Sequence, residues 1–85
     1  MKLELLYFAW LRERVGCSQE SVSPPPDVAT VADLLTWLRG RGPGYEAGFS
    51  ATRLVRCAVN QDFAEPDAIL HDGDEVAFFP PVTGG

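Results

Sequence analysis

The residues best placed to do chemistry are the last two, Gly84 and Gly85, and the group that would react is the carboxylate they carry. Neither has a Cβ, so the pair can enter a slot too narrow for any other residue, and the terminal carboxylate is sterically open. What precedes them reads as more than a frayed terminus. Glu75-Val76-Ala77-Phe78-Phe79 has the pattern of a buried strand, Pro80-Pro81 stops it, and Val82-Thr83 lead into the two glycines. Proline fixes φ and donates no hydrogen bond, so the two prolines end ladder pairing and set an extended exit path. The five residues from Pro81 to Gly85 span at most ~17 Å. This suits a carboxylate that is itself the reacting group, presented to the active site of another protein.

Other constellations carry less. Asp72, Asp74 and Glu75 lack the spacing of a calcium loop and read as solvated turn carboxylates. His71 beside Asp72 has no nucleophile placed near it by the sequence, and a turn histidine is the better reading. Cys17 and Cys57 lie far apart, with no C-x-x-C and a single histidine in the chain, so neither a zinc site nor a redox motif is expected. Two reduced thiols fit a reducing cytosol. No metal and no bound cofactor are expected.

Bulk properties narrow the class further. A chain of 85 residues makes one domain with a thin core, burying somewhat over ~60% of its unfolded surface. Seven basic against twelve acidic side chains, net charge −5, argue against a nucleic-acid partner and are compatible with a basic docking surface on a protein partner. No apolar run approaches membrane-spanning length, and Met1-Lys2-Leu3-Glu4 does not begin a signal peptide, so a cytoplasmic protein is expected.

The elements that must position the tail follow in order. Residues 2–8 alternate as a strand, with Leu3, Leu5 and Tyr7 on one face and Lys2, Glu4, Leu6 and Phe8 on the other. Residues 9–16 predict a short helical turn closed by Gly16, with Trp10, Leu11 and Val15 packing and Arg12 and Arg14 solvated. Residues 17–23 are weakly strand-like, of edge character, and Pro24-Pro25-Pro26 is a rigid connection. Thr30 opens the clearest helix, with Asp33 in a capping box and Val31, Leu34, Leu35 and Leu38 as its stripe. Trp37 lies at the stripe's edge, and Gly40 or Gly42 stops the helix. Residues 42–53 are glycine-rich and read as a loop with at most a helical turn. Leu54–Val59 is a third strand, with Val55, Cys57 and Val59 on one face. Asn60-Gln61-Asp62 is a turn with Phe63 on the rim after it. Ile69-Leu70 is a short buried piece, and His71-Asp72-Gly73-Asp74 a turn into the last strand.

One helix covers one face of a four- or five-stranded sheet. Its stripe should cover Leu3, Leu5, Tyr7, Val76 and Phe78, which leaves Phe8 and Phe79 on the opposite face with Phe63 at its rim. Exposed aromatics beside a reactive tail point to a docking patch. The domain is expected over residues 1–80 and a flexible tail over 81–85.

These residues carry a resemblance. The run from Asp72-Gly73-Asp74-Glu75-Val76 through Phe78-Phe79-Pro80-Pro81-Val82-Thr83-Gly84-Gly85, with Phe8-Ala9, Arg12-Glu13 and Ala58-Val59-Asn60-Gln61, is similar to the small subunit of molybdopterin synthase, the MoaD-type sulfur carriers. The likeness spans the chain, except that 40–53 carry no family pattern. It implies an α+β, ubiquitin-like β-grasp fold with a mixed sheet and one main helix on one face. It also implies that the protein is non-catalytic alone and binds no cofactor. A MoeB-type, ubiquitin-activating-like partner would use ATP to adenylate Gly85. A cysteine desulfurase or rhodanese-type sulfur donor would turn the acyl-adenylate into a thiocarboxylate. The tail would then give sulfur to a pterin precursor (precursor Z) inside the large, MoaE-type subunit, in an assembly of two small and two large subunits. The resemblance places partner contacts at Phe8, Phe63, Phe79, Pro80, Pro81, Val82, Thr83, Gly84 and Gly85. The chemistry agrees with the residues: a carboxylate is a poor electrophile until one oxygen becomes a leaving group, so adenylation must come first.

Three other readings remain open on the residues. One is a sulfur carrier for another pathway, such as thiazole synthesis. Another is a ubiquitin-like modifier attached to lysines, although Lys2 is the only lysine on which this chain could build on itself. The last is an interaction domain with an inert tail.

Overall fold

The computed structural model describes residues 1–50 and 54–81, and all structural statements concern these. Eight elements follow in order: β1 (Leu3–Tyr7), α1 (Trp10–Val15), β2 (Gln19–Val22), α2 (Val31–Arg39), α3 (Pro43–Phe49), β3 (Arg56–Val59), β4 (Asp62–Phe63) and β5 (Glu75–Phe79). The strands form one mixed sheet in the order β2-β1-β5-β3-β4. β1 and β5 run parallel at its centre, with Leu5 opposite Val76 and Tyr7 opposite Phe78. The other pairs are antiparallel. This is the α+β, β-grasp architecture expected, with five strands.

The alternation of β1 and β5 decides the core. Leu3, Leu5, Tyr7, Val76 and Phe78 are buried together with Leu11, Val31, Leu34, Leu38 and Phe49. The rings of Tyr7, Phe49 and Phe78 meet with centroids 5.1 to 6.2 Å apart. α2 starts where its capping box predicts. Thr30 Oγ1 accepts the Asp33 N–H at 3.2 Å, while the Asp33 carboxylate accepts the N–H groups of Thr30 and Ala29. Those backbone donors, Ala29 first and then Thr30, hold the Asp33 carboxyl below its ordinary range. Gly40 is the residue that stops α2. α1 closes at Gly16, whose φ of 98° is left-handed.

Three expectations need correction. The described residues hold three helices rather than a main helix and one short helical turn, because Pro43–Phe49 is α3 rather than loop. Of the glycines that disguised it, Gly44 serves close packing. A Cβ on Gly44 would run into the Arg14 carbonyl oxygen, whereas one on Gly48 would meet Leu11 and Val15 at 3.6 Å, an ordinary contact. Pro43 sits at the helix start, where its missing N–H costs nothing. Second, the short strand is Asp62–Phe63 rather than Ile69-Leu70. Asn60 and Gln61 have φ of 51° and 72°, the two positive values that a tight type I′ hairpin requires. Leu70 is buried, but Ile69 is 59% exposed and makes only an isolated bridge to Thr30. Third, the third strand begins at Arg56 rather than Leu54, and the second covers only Gln19–Val22. Arg14 is exposed, as expected, and its guanidinium also lies 4.7 Å from the Trp10 ring and donates to the Ala47 carbonyl.

Candidate functional site: the end of β5 and the bare sheet face

All three helices take their buried residues to one side of the sheet, so the other side is bare among the described residues. Cross-strand register lays out that face in rows. Leu6 lies opposite Ala77, Ala77 opposite Ala58, and Ala58 opposite Phe63. One row further toward the end of β5, Phe79 lies opposite Arg56. The Phe8 N–H donates to the Phe78 carbonyl at 3.1 Å and so seats Phe8 beside the same strand end. Phe8 is 48% and Phe63 85% exposed. Phe79 is half-buried, with its ring centroid 5.9 Å from that of Phe63. The two alanines make a shallow floor, and the larger side chains stand around it.

The residues expected to meet a partner therefore separate. Phe8, Phe63 and Phe79 share this face and end of the sheet, though Phe63 is the most exposed and Phe79 is partly covered. Pro80 and Pro81 are half-buried as they leave β5. Val82, Thr83, Gly84 and Gly85 lie outside the described residues. Between Phe8 and Trp10, Ala9 holds a φ of 56°, a conformation that strains a residue with a Cβ by about 1–3 kcal/mol. This turn reverses the chain from β1 into α1 and leaves Phe8 outward.

The placement of β5 rests on a residue the sequence reading took for a solvated turn carboxylate. Asp74 is only 8% exposed. Its Oδ1 accepts Asn60 Nδ2 at 2.9 Å and its Oδ2 accepts the His71 N–H at 2.8 Å. Asn60 Oδ1 in turn accepts the Glu75 N–H at 3.0 Å. The β3–β4 turn is thus stitched to the first residue of β5, and the strand that carries the tail is held at its start. The Asn60–Asp74 pairing spans fourteen positions, which no local pattern announces. The available signal was two polar turns at the same end of neighbouring strands.

The helix side carries a second polar cluster. Tyr7 and Tyr45 each donate their hydroxyl to Glu20 Oε2 at 2.7 Å, and Arg41 Nη1 donates to Oε1 at 3.1 Å. Burial raises the Glu20 carboxyl, but the bonds from Tyr45, Tyr7 and Arg41 outweigh it and leave the group below its ordinary value. Burial, then Glu20, push the Tyr45 hydroxyl up to about 12. Burial pushes the Cys57 thiol up to about 12 as well, and raises Cys17, with Glu20 adding to the effect and Arg41 opposing it. Both cysteines are free thiols, and neither is poised as a thiolate nucleophile. Among the described residues no group of three or more His, Cys, Asp or Glu is arranged to hold a metal ion. No described helix is long and apolar enough to cross a membrane.

Comparison with known proteins agrees with this geometry. The ThiS family model matches residues 5–85. The molybdopterin synthase sulfur carrier subunit of Escherichia coli (strain K12) is 40% identical over 83 residues, covering 98% of this chain and 99% of that one. Small archaeal modifier protein 3 of Haloferax volcanii is 37% identical over 94 residues, covering 100% of both. Among solved structures, a putative molybdopterin converting factor, subunit 1, from Pyrococcus furiosus superposes with a TM-score of 0.81 at 32% identity, covering 96% of this chain and 99% of that one. The chain therefore belongs to the ThiS family and is related along its whole length to the sulfur carrier subunits of molybdopterin synthase.

Proposed function

We propose that this protein is the sulfur carrier subunit of a molybdopterin synthase and that its reactive group is the Gly85 carboxylate. A carboxylate oxygen attacks the α-phosphorus of ATP in an adenylating partner of the ubiquitin-activating-like type, and pyrophosphate leaves. The persulfide of a cysteine desulfurase or rhodanese-type donor then displaces AMP to give an acyl disulfide, and a second thiol reduces its S–S bond, leaving a disulfide on the donor side and releasing the thiocarboxylate. Its soft sulfur is transferred to the pterin precursor in the large subunit, and hydrolysis returns the carboxylate. Phe8, Phe63 and Phe79 form the docking face, and Pro80 through Gly85 thread the tail into the partner, whose own groups perform the catalysis. The reactions belong in the cytoplasm, where Cys17 and Cys57 stay reduced.

The observation that carries this reading is the whole-chain relationship to carriers of that name, joined to an uncovered aromatic face beside the strand that leads to the tail. Intact-mass measurement after incubation with the activating partner, ATP and a sulfur donor tests it. The expected product has one C-terminal oxygen replaced by sulfur, and removal of Gly85 abolishes it. An unchanged mass under all activating conditions would overturn the reading. The 37% identity to a small archaeal modifier protein favours one second reading, attachment to lysines of other proteins. Lysine-linked adducts in place of the thiocarboxylate would select it.

A further inference from the structure

The bare face of the sheet is charged at the end away from the tail. Glu4 of β1 lies directly opposite Glu75 of β5, and Ser21 of β2 lies opposite Glu4 on its other side. Glu4 stands between buried Leu3 and Leu5, and Glu75 precedes buried Val76, so both carboxylates project from the uncovered face. Neighbouring strands lie about 4.8 Å apart, and like charges directly opposite each other destabilise a strand pair. The Ser21 hydroxyl donates to both Glu4 oxygens at 2.7 Å, which orients that carboxylate but adds no positive charge. The Glu75 N–H donates to Asn60 Oδ1 and so fixes the start of β5 in this row. Among the described residues no cation forms an ion pair with either carboxylate. Arg39 pairs with Glu46 and Arg41 with Glu20 on the helix side of the sheet, and Lys2, on the bare face before Glu4, pairs with neither.

The face is therefore polar along the strand direction. Its middle row, Leu6, Ala77, Ala58 and Phe63, carries no charge, and its far row holds Phe79 opposite Arg56. Glu75 and Phe79 are separated by about 13 Å along β5, so a partner patch of about 800 Å² spans both ends. Burial of apolar surface is non-directional, and the alanine floor alone would let a partner sit with either end toward the tail. A charge at one end removes that ambiguity, because complementary potentials fix register and like charges brought together are costly. We propose that the Glu4–Glu75 row receives a guanidinium of the large subunit, and that this contact sets the orientation in which the tail meets that subunit's active site. The inference rests on the proposed function and adds a charged anchor to the aromatic one. A guanidinium suits the row, since its planar fork of five donors can bridge carboxylates on neighbouring strands. It also removes the repulsion that the free chain carries between them.

The test titrates the full chain with the large synthase subunit in a calorimeter, at about 0.05 M and about 0.5 M salt, between which surface charges become largely screened. Melting of each free chain is measured alongside. Glu4→Lys gives Glu75 a cation within its own chain. It is expected to raise the melting temperature and to weaken the complex at least about tenfold at low salt, with the gap closing at high salt. Glu75→Gln removes one charge at nearly constant size. It is expected to weaken the complex at least about threefold at low salt without lowering the melting temperature. Binding that falls while stability holds or rises is a result that a merely structural role of these carboxylates would not give. Wild-type affinity in both variants, or a loss that persists unchanged at high salt, overturns the inference and leaves the proposed function standing. Absence of any complex between the wild-type chain and the large subunit overturns both. If Glu4→Lys does not fold, Glu75→Gln decides the matter alone.

Discussion

At the scale of the residue, Glu20 shows how one carboxylate joins segments distant in sequence. It receives two tyrosine hydroxyls and a guanidinium from β1, α3 and the turn between α2 and α3. Replacing it with alanine would leave the Tyr7 hydroxyl without its acceptor in a largely buried position, a loss of about 1–3 kcal/mol by the usual cost of an unsatisfied group. Its acid dependence has a definite sign. The folded carboxyl lies below its ordinary value, so its contribution is fully present above the unfolded pKa of about 4.3. That contribution is lost as pH falls through the lower folded value. Melting temperatures of wild type and Glu20→Gln, measured from neutral pH down into the acid range, should therefore converge as pH falls. Asp33 and Glu46 are also held low, and because both proteins share them, the difference isolates Glu20. A gap independent of pH would show that the carboxylate's charge contributes nothing. None of this was legible in the sequence, where Glu20 was an ordinary polar residue of an edge strand. Its partners lie thirteen, twenty-one and twenty-five positions away.

At the scale of the element, legibility followed local signal. The alternation of β1 and β5, the capping box of α2 and the left-handed glycine after α1 are written within a few residues, and each appears where it was expected. α3 was not legible, because its glycines imitate a loop. Gly44 and Gly48 lower its intrinsic helicity, and the close approach of α1 explains Gly44. A sharp prediction separates propensity from packing. In an exposed helix Gly→Ala gains up to about 1 kcal/mol. Gly44→Ala should instead destabilise by about 1–3 kcal/mol, the range for overpacking, because the new methyl meets the backbone carbonyl of Arg14, which cannot rotate away. Denaturant midpoints check this, and a more stable Gly44→Ala would mean that α1 and α3 move apart freely. β4 escaped for a related reason: a two-residue strand has no period to read, although the turn at Asn60 and Gln61 that leads into it was legible.

At the scale of the whole molecule, the sheet divides its aromatics into those that hold the fold and those left for something else. Phe78 and Phe63 sit on adjoining parts of one sheet and face opposite ways. Phe78 is fully buried against Tyr7 and Phe49. Phe78→Ala should cost about 3–5 kcal/mol of stability. Phe63 is 85% exposed and touches Phe79 at the edge of the bare face. Its truncation removes little that is buried on folding, so Phe63→Ala should change stability by no more than about 0.5 kcal/mol. If the face docks a partner, an exposed ring of this size beside a shallow alanine floor is where binding energy concentrates. Phe63→Ala should then weaken the complex with the large subunit by more than tenfold. Phe79→Ala should do the same with a modest stability cost, because that ring is already half-covered. The pair of measurements, unfolding and titration calorimetry on the same proteins, separates the roles. A Phe63→Ala protein that binds as wild type does would leave the bare face without its docking role, and the carboxylate at Gly85 would have to be delivered by the tail alone.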